Sequence, residues 1–306
     1  MKLQKVGMKG RQLFILIGVI FILQGCMKND PDVYDGVAIL QQDIQTIKTY
    51  LDANGIDAKM DSSSGVFYNI NENGSGFKTV LNADIEINFK GATFDGAEFV
   101  NTIGDGPASV SLGPDNTLAG ITDGLLIALI GLNEGDSVTI YVPSPWGYQN
   151  DAYQNVPPNS ILVYNVRLIK IENLEEDYAS IDAFVVENNW TASIEPEYGI
   201  RYIVHRTGDQ DVKAENGDDI SVHYQGELFD GTIFDSSVGK SPLDFTLGSG
   251  SLIVGFEAGA SQLHDKDSAT ILIPPVYGYG KNGSGNVIPG NTPLRFGLDV
   301  LNITKN

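Results

Sequence analysis

Two stretches of this chain alternate apolar and polar positions in the same way. Ile85, Ile87 and Phe89 are spaced by Glu86, Asn88 and Lys90, and Ile220, Val222 and Tyr224 are spaced by Ser221, His223 and Gln225. A period of two marks half-buried strands with one face inward. Each run leads to an Asp-Gly pair, Asp95-Gly96 or Asp230-Gly231, which between such runs signals a hairpin. Further on, each copy predicts a short helix: Gly120 to Leu129, with Ile121, Leu125, Leu126 and Leu129 on one face, and Gly255 to Leu263. A strand follows (Ser137 to Val142, Ala269 to Ile273), then a Pro- and Tyr-rich loop ending at Tyr148 or Tyr279. An alternating strand closes each copy, Ile161 to Ile169 and Leu294 to Ile303. The pattern is one unit written twice, an α+β arrangement of a sheet with a helix on one face.

A longer helix is predicted ahead of each unit. Val37 to Leu51 places Leu40, Ile44, Ile47 and Leu51 at helical spacing. The stretch Tyr178 to Asn188 is less regular, with Ile181, Phe184 and Val185 as its apolar positions. A linker is expected near Asn173 to Asp177, which divides the chain into residues 36–172 and 173–306.

The beginning of the chain has a different pattern. Lys2, Lys5, Lys9 and Arg11 precede an unbroken apolar run, Leu13 to Leu23, of 11 residues. That fits the apolar region of an export signal and falls short of the ~20 residues a spanning helix needs. The run ends in Leu23-Gln24-Gly25-Cys26, which resembles a bacterial lipobox. The resemblance implies that residues 1–25 are removed and that Cys26 is lipidated. Residues 26–35 then form an acidic tether (Asp30, Asp32, Asp35), and the protein is expected to be an outer-membrane lipoprotein, facing the periplasm or the cell surface. Cys26 is the only cysteine, which excludes an intrachain disulfide and a thiol nucleophile in the folded units. Without the four basic residues of the leader, the 19 bases fall to 15 against 39 acids, a net charge of −24. Such a surface repels phosphate backbones, so nucleic acid is not an expected partner.

The candidate chemistry lies where the two copies differ. The second copy reads VHYQGELFDGTIFDSS from Val222, and the first reads INFKGATFDGAEFVNT from Ile87. The turn is kept, but Tyr224 is answered by Phe89 and Asp235 by Val100. With the later blocks PLDFTLGSGSLIVGFEAG, IPPVYGYG and VIPGNTPLRFGLDV, the second copy resembles the FKBP-type peptidyl-prolyl cis-trans isomerases from about Gly199 to Ile303. The first copy resembles them more loosely, from Gly65 to Ile169.

The resemblance implies two tandem FKBP-like domains, each a curved antiparallel sheet around a short helix, with an extra helix ahead of each. It implies that Tyr224, Phe234, Asp235, Phe256, Tyr279 and Phe296 are catalytic positions, with Asp235 the family's buried acid and Phe256 its floor. It further implies that Leu243, Phe245, Leu252, Ile253 and Ile288 bind substrate, a polypeptide with an X-Pro bond. No cofactor or metal is implied. In the first copy Ala108, Leu118 and Ile121 are expected at wall and floor positions, with Tyr148 and Tyr164 retained, and that copy is expected to be non-catalytic. The loop Lys281 to Val287 departs from the family pattern. The alternative is a non-catalytic chaperone, or an accessory subunit of an outer-membrane protein complex, that grips apolar or Pro-containing segments.

Other constellations point nowhere. His205, His223 and His264 are far apart in sequence, and His223 lies on the outward face of its strand. Asn69 to Gly74 lacks the carboxylates of a calcium loop.

Overall fold

The computed structural model describes residues 35–113, 116 and 118–306. The expected leader, Cys26 and most of the acidic tether lie outside the described residues. The two units repeat one topology. In the first, strands run across the sheet in the order Lys59–Met60, Phe67–Glu72, Ser137–Val142, Leu162–Ile171, Asp84–Thr93, Glu98–Asn101, and Ala108–Ser111 also pairs with Asp84–Thr93. In the second, the same order is Ser193–Ile194, Arg201–Arg206, Ser268–Ile273, Leu294–Thr304, Asp219–Leu228, Ile233–Ser236, with Leu243–Thr246 likewise paired to Asp219–Leu228. Every pairing is antiparallel. The second unit adds a ribbon of its own, Asp209–Lys213 with His264–Asp265.

The predicted hairpins form. Gly96 and Gly231 take φ of 96° and 88°, a conformation that suits glycine. Their amides donate to Thr93 O and Leu228 O at 2.9 and 3.0 Å. The alternation also holds: Ile85, Ile87 and Phe89 are fully buried, as are Ile220 and Val222.

Four helices accompany the sheets: α1 (Gly36–Asn54), α2 (Asp123–Leu129), α3 (Leu174–Glu187) and α4 (Val254–Ala260). α1 starts one residue earlier than the apolar pattern because the Asp35 carboxylate caps it, accepting from the amides of Val37 and Ala38. Its inner face buries Ile47 and Leu51 against Phe67, Tyr141 and Ile161 of its own unit. Asp43 joins in by accepting from the amide and hydroxyl of Ser144 at 2.8 and 2.6 Å.

The expected helix around Tyr178 begins four residues sooner, at Leu174, and takes in most of the expected linker. The last strand of the first unit ends at Ile171, so Glu172 and Asn173 alone connect the units. Asn173 reverses the chain with φ of 62°. The predicted helices Gly120 to Leu129 and Gly255 to Leu263 are both shorter in fact. α2 begins only after Thr122, whose hydroxyl caps it, and α4 gives way to a turn at Ser261.

The units share a core. Buried residues of both, from Val66 and Ile85 to Val300 and Ile303, form one contiguous apolar cluster. α3 contributes Leu174, Tyr178, Ile181 and Val185 to it. Phe77 of the first unit packs on Tyr178, with ring centroids 5.2 Å apart.

Candidate functional site

In the second unit, five rings meet between the sheet and α4. Tyr224 comes from strand Asp219–Leu228, Phe234 from Ile233–Ser236, Phe245 from Leu243–Thr246 and Phe296 from Leu294–Thr304. Phe256 stands on the first turn of α4 and is 3 % exposed. Its ring meets Phe296, Phe245 and Tyr224 edge-on, at 5.2, 5.8 and 6.1 Å. Phe234 meets Phe296 at 5.4 Å, also edge-on. These are favoured aromatic geometries and give the cluster a fixed shape.

The helix reaches this depth because Gly255 has no side chain. A Cβ there would lie 2.3 Å from Ile273. Gly226 serves the opposite wall, where a Cβ would be 2.5 Å from Phe234 and 2.8 Å from Phe296.

One polar couple borders the rings. The Tyr224 hydroxyl donates to Asp235 Oδ2 at 2.5 Å, and Asp235 Oδ1 accepts from the Ser236 amide at 2.8 Å. Burial, then the Asp235 hydrogen bond and charge, push the Tyr224 phenol up to about 12. It is therefore a stable donor across the physiological range. Asp235 differs from expectation: it is an exposed residue, not a buried acid, because its short strand lies at the edge of the sheet. The backbone of Tyr224 is tied to Ser237, whose hydroxyl accepts its amide at 2.9 Å.

Tyr279 stands at the rim, 36 % exposed, and stacks on no other ring among the described residues. Partial burial and the nearby Asp235 charge raise its phenol. Leu243 is half-buried opposite Val222, and Ile288 is 6 % exposed below the loop that follows Tyr279. Leu252 and Ile253 are half-buried at the entry to α4.

Glu257 was not singled out from the sequence, and it organises that entry. Its buried carboxylate accepts from the amides of Gly248, Leu252 and Gly250 at 2.9, 3.1 and 3.4 Å. The signal was available, since an acid one residue after the floor aromatic and inside an apolar helix needs partners.

The first unit superimposes these roles through its strand register. Val100 pairs with Gly91 as Asp235 pairs with Gly226, and Tyr164 takes the place of Phe296. Thr102 accepts the Phe89 amide at 2.9 Å, as Ser237 does for Tyr224. The floor is Leu125 and not Ile121. Gly124 approaches Val142 as Gly255 approaches Ile273, which fixes the register, and Ile121 precedes the helix. Ala108 lies on the wall as expected, facing Ile87 as Leu243 faces Val222. Leu118 is 37 % exposed and ahead of the helix.

Tyr153 is an unforeseen addition. It stacks on Tyr148 at 4.2 Å and meets Phe99 edge-on at 6.4 Å. Phe99 in turn packs on Tyr148 and Tyr164, both at 5.8 Å. Burial and the neighbouring Tyr153 phenol raise the Tyr148 hydroxyl, and Tyr164 donates inward to Gly120 O at 3.0 Å. The matching bridge in the second unit, Ser284 with Ile288, carries no ring.

Comparison with known proteins places this architecture. The sequence profile of the FKBP-type peptidyl-prolyl cis-trans isomerases matches residues 78–169 and again 210–301. The chain belongs to this family and carries its domain twice. Peptidyl-prolyl cis-trans isomerase Fkbp12 of Drosophila melanogaster is 38 % identical over 106 residues, covering 34 % of this chain and 98 % of that protein. Human peptidyl-prolyl cis-trans isomerase FKBP9 is 28 % identical over 194 residues, 63 % of this chain and 30 % of that protein, so the match spans about a third of the human chain. The crystal structure of FkpA from Escherichia coli is 29 % identical with a TM-score of 0.37, covering 44 % of this chain and 60 % of that one.

Proposed function

We propose that the second unit isomerises X-Pro bonds in polypeptides and that the first does not. Amide resonance sets a barrier of ~18–20 kcal/mol to this rotation. In the twisted transition state that resonance is lost, so a site needs no nucleophile and no metal. It has only to favour the twisted bond over either planar form. Phe256, Phe296, Phe245 and Phe234 receive the proline ring and keep water away. Tyr279 donates to the substrate carbonyl from the rim. Asp235 faces the twisted carbonyl carbon while orienting Tyr224. A thousandfold acceleration takes only about 4 kcal/mol, within reach of apolar packing and one or two hydrogen bonds.

The observation that carries this reading is the Tyr224–Asp235 hydrogen bond at the border of the ring cluster, together with its loss in the first unit. The full chain is expected to accelerate cis-trans exchange of a short X-Pro peptide, and Asp235→Leu to lower the rate with the fold retained. A parent chain no faster than buffer overturns the reading.

The substrates of this reading are exported or outer-membrane proteins, with the chain held at the outer membrane through Cys26. Its support is the segment Leu23 to Cys26 after the apolar run. Radiolabelled fatty-acid incorporation that is abolished by Cys26→Ala tests it.

A further inference from the structure

We infer that the first unit acts on the reaction by holding the Tyr279 loop of the second in place. The inference rests on the isomerase reading and gives the silent unit a task within it. Tyr279 lies between Gly278 and Gly280, and Gly280 has φ of 58°. Such a sequence has little stiffness of its own. Within the second unit the loop is pinned by backbone bonds, Gly278 N–H to Pro275 O at 2.9 Å and Asn291 N–H to Gly280 O at 2.9 Å. The side chains two residues to either side of Tyr279 both reach into the first unit.

On one side, the Tyr277 hydroxyl donates to the Lys78 carbonyl at 2.8 Å, and the Tyr277 ring is 1 % exposed. On the other, Lys281 Nζ donates to both Asp84 oxygens at 2.8 and 3.1 Å and to Ser111 Oγ at 3.1 Å. Lys78 is itself fixed to the second unit, through its amide to Glu197 O at 3.2 Å and its ammonium to the Glu197 carboxylate. The clamp therefore closes on a seam whose two sides already share a core.

A rim hydroxyl that must meet a substrate carbonyl gains from fixed placement, since small displacements are costly in rate. Tyr277 and Lys281 touch no reacting atom, so they are positioning residues that act through Tyr279. Asp84 and Ser111 are their receptors in the first unit. The local sequence offers no substitute for either anchor: Val276 and Asn282, the next residues along, make no side-chain bond to the first unit among the described contacts.

The test is a set of full-chain variants assayed for kcat/KM on an X-Pro peptide and for hydrogen exchange over residues 276–283. Tyr277→Phe with Lys281→Met is expected to lower kcat/KM about tenfold and to speed exchange in that segment, with the melting temperature little changed. Lys281→Asp combined with Asp84→Lys is expected to recover to within about twofold of the parent. In a Tyr279→Phe background the clamp substitutions are expected to cost nothing further, because the group they position is gone. Unchanged turnover in the clamp variant, or a full additional loss in the Tyr279→Phe background, overturns the inference and leaves the isomerase reading standing. A parent chain without turnover overturns the isomerase reading and this inference with it. Unchanged exchange over 276–283 overturns the clamp by itself.

Discussion

Set side by side, the two units spend the same architecture differently. Position for position, Tyr224, Asp235, Phe256 and Phe296 are answered by Phe89, Val100, Leu125 and Tyr164. In the second unit the hydroxyl borders the rings and bonds to an acid that faces water. In the first, the hydroxyls of Tyr148 and Tyr164 belong to the packed interior, and Tyr153 adds a ring stacked on Tyr148. What both retain is the hairpin, the Thr102 or Ser237 hook just past the end of the neighbouring strand, and the glycine that lets the helix sit close. The two units therefore share the backbone hooks and close approaches and differ in the side chains around the ring cluster.

The comparison can be broken most sharply by making the second unit resemble the first. Tyr224→Phe, Asp235→Val and Phe256→Leu together are expected to lower kcat/KM at least a hundredfold, about 2.7 kcal/mol of transition-state stabilisation, with unchanged far-ultraviolet circular dichroism. Retained turnover would mean that the first unit's residues suffice. Tyr224→Phe alone is expected to cost about tenfold, since it removes one hydrogen bond of roughly 1 kcal/mol and frees the Asp235 carboxylate. Turnover equal to the parent would reduce that couple to a packing detail.

A smaller effect is expected from Tyr153→Ser, which copies the second unit's loop into the first. Loss of one stacked pair costs about 1 kcal/mol, seen as a lowered melting temperature. Total turnover stays the same, because Phe89 and Val100 still supply no polar group. A gain in turnover would show that the first unit is merely covered.

The seam itself offers the least perturbing test. Asp177 lines a cleft of about 320 Å³ between the units, beside Asp84 and Lys281. Burial, with Glu176 adjacent, pushes its carboxyl up to about 6. The folded chain thus keeps this proton after the unfolded chain has lost its own near pH 4, and stability falls as pH rises between those values. Asp177→Asn is expected to raise stability at pH 7 by roughly 1 kcal/mol, discounted for partial exposure and for the favourable first-turn position in α3. At pH 3.5 the difference disappears.

Much of this was written in the alternation. The hairpins and the strands Ser137–Val142 and Leu294–Thr304 follow from period two and from Asp-Gly. Of the ring residues named from the sequence, Tyr224, Phe245 and Phe296 meet Phe256 and Phe234 joins through Phe296, while Tyr279 stays at the rim and stacks on none of them. The misplaced features share a physical cause. The resemblance implied a wall or floor position for Ile121, but the Thr122 cap delays the helix and the floor falls to Leu125. The linker at Asn173 to Asp177 looked polar and loop-like, yet three acids in the first turn of a helix suit its positive end. The family resemblance implied a buried Asp235, and the strand alternation cannot report that its strand lies at an edge. Tyr153 and the clamp residues sit in loops, where no periodicity announces a contact.

The shared core has a consequence for how the protein comes into being. Synthesis delivers the first unit before α3, so Phe77 and the apolar surface around it meet water until Tyr178, Gly199 and the second unit arrive. The nascent chain is thus left with a sticky half-seam, and its own second half is the natural cover. A chain paused or cut near Asn173 would carry that unfinished face into a crowded environment, where association with another copy competes with completion.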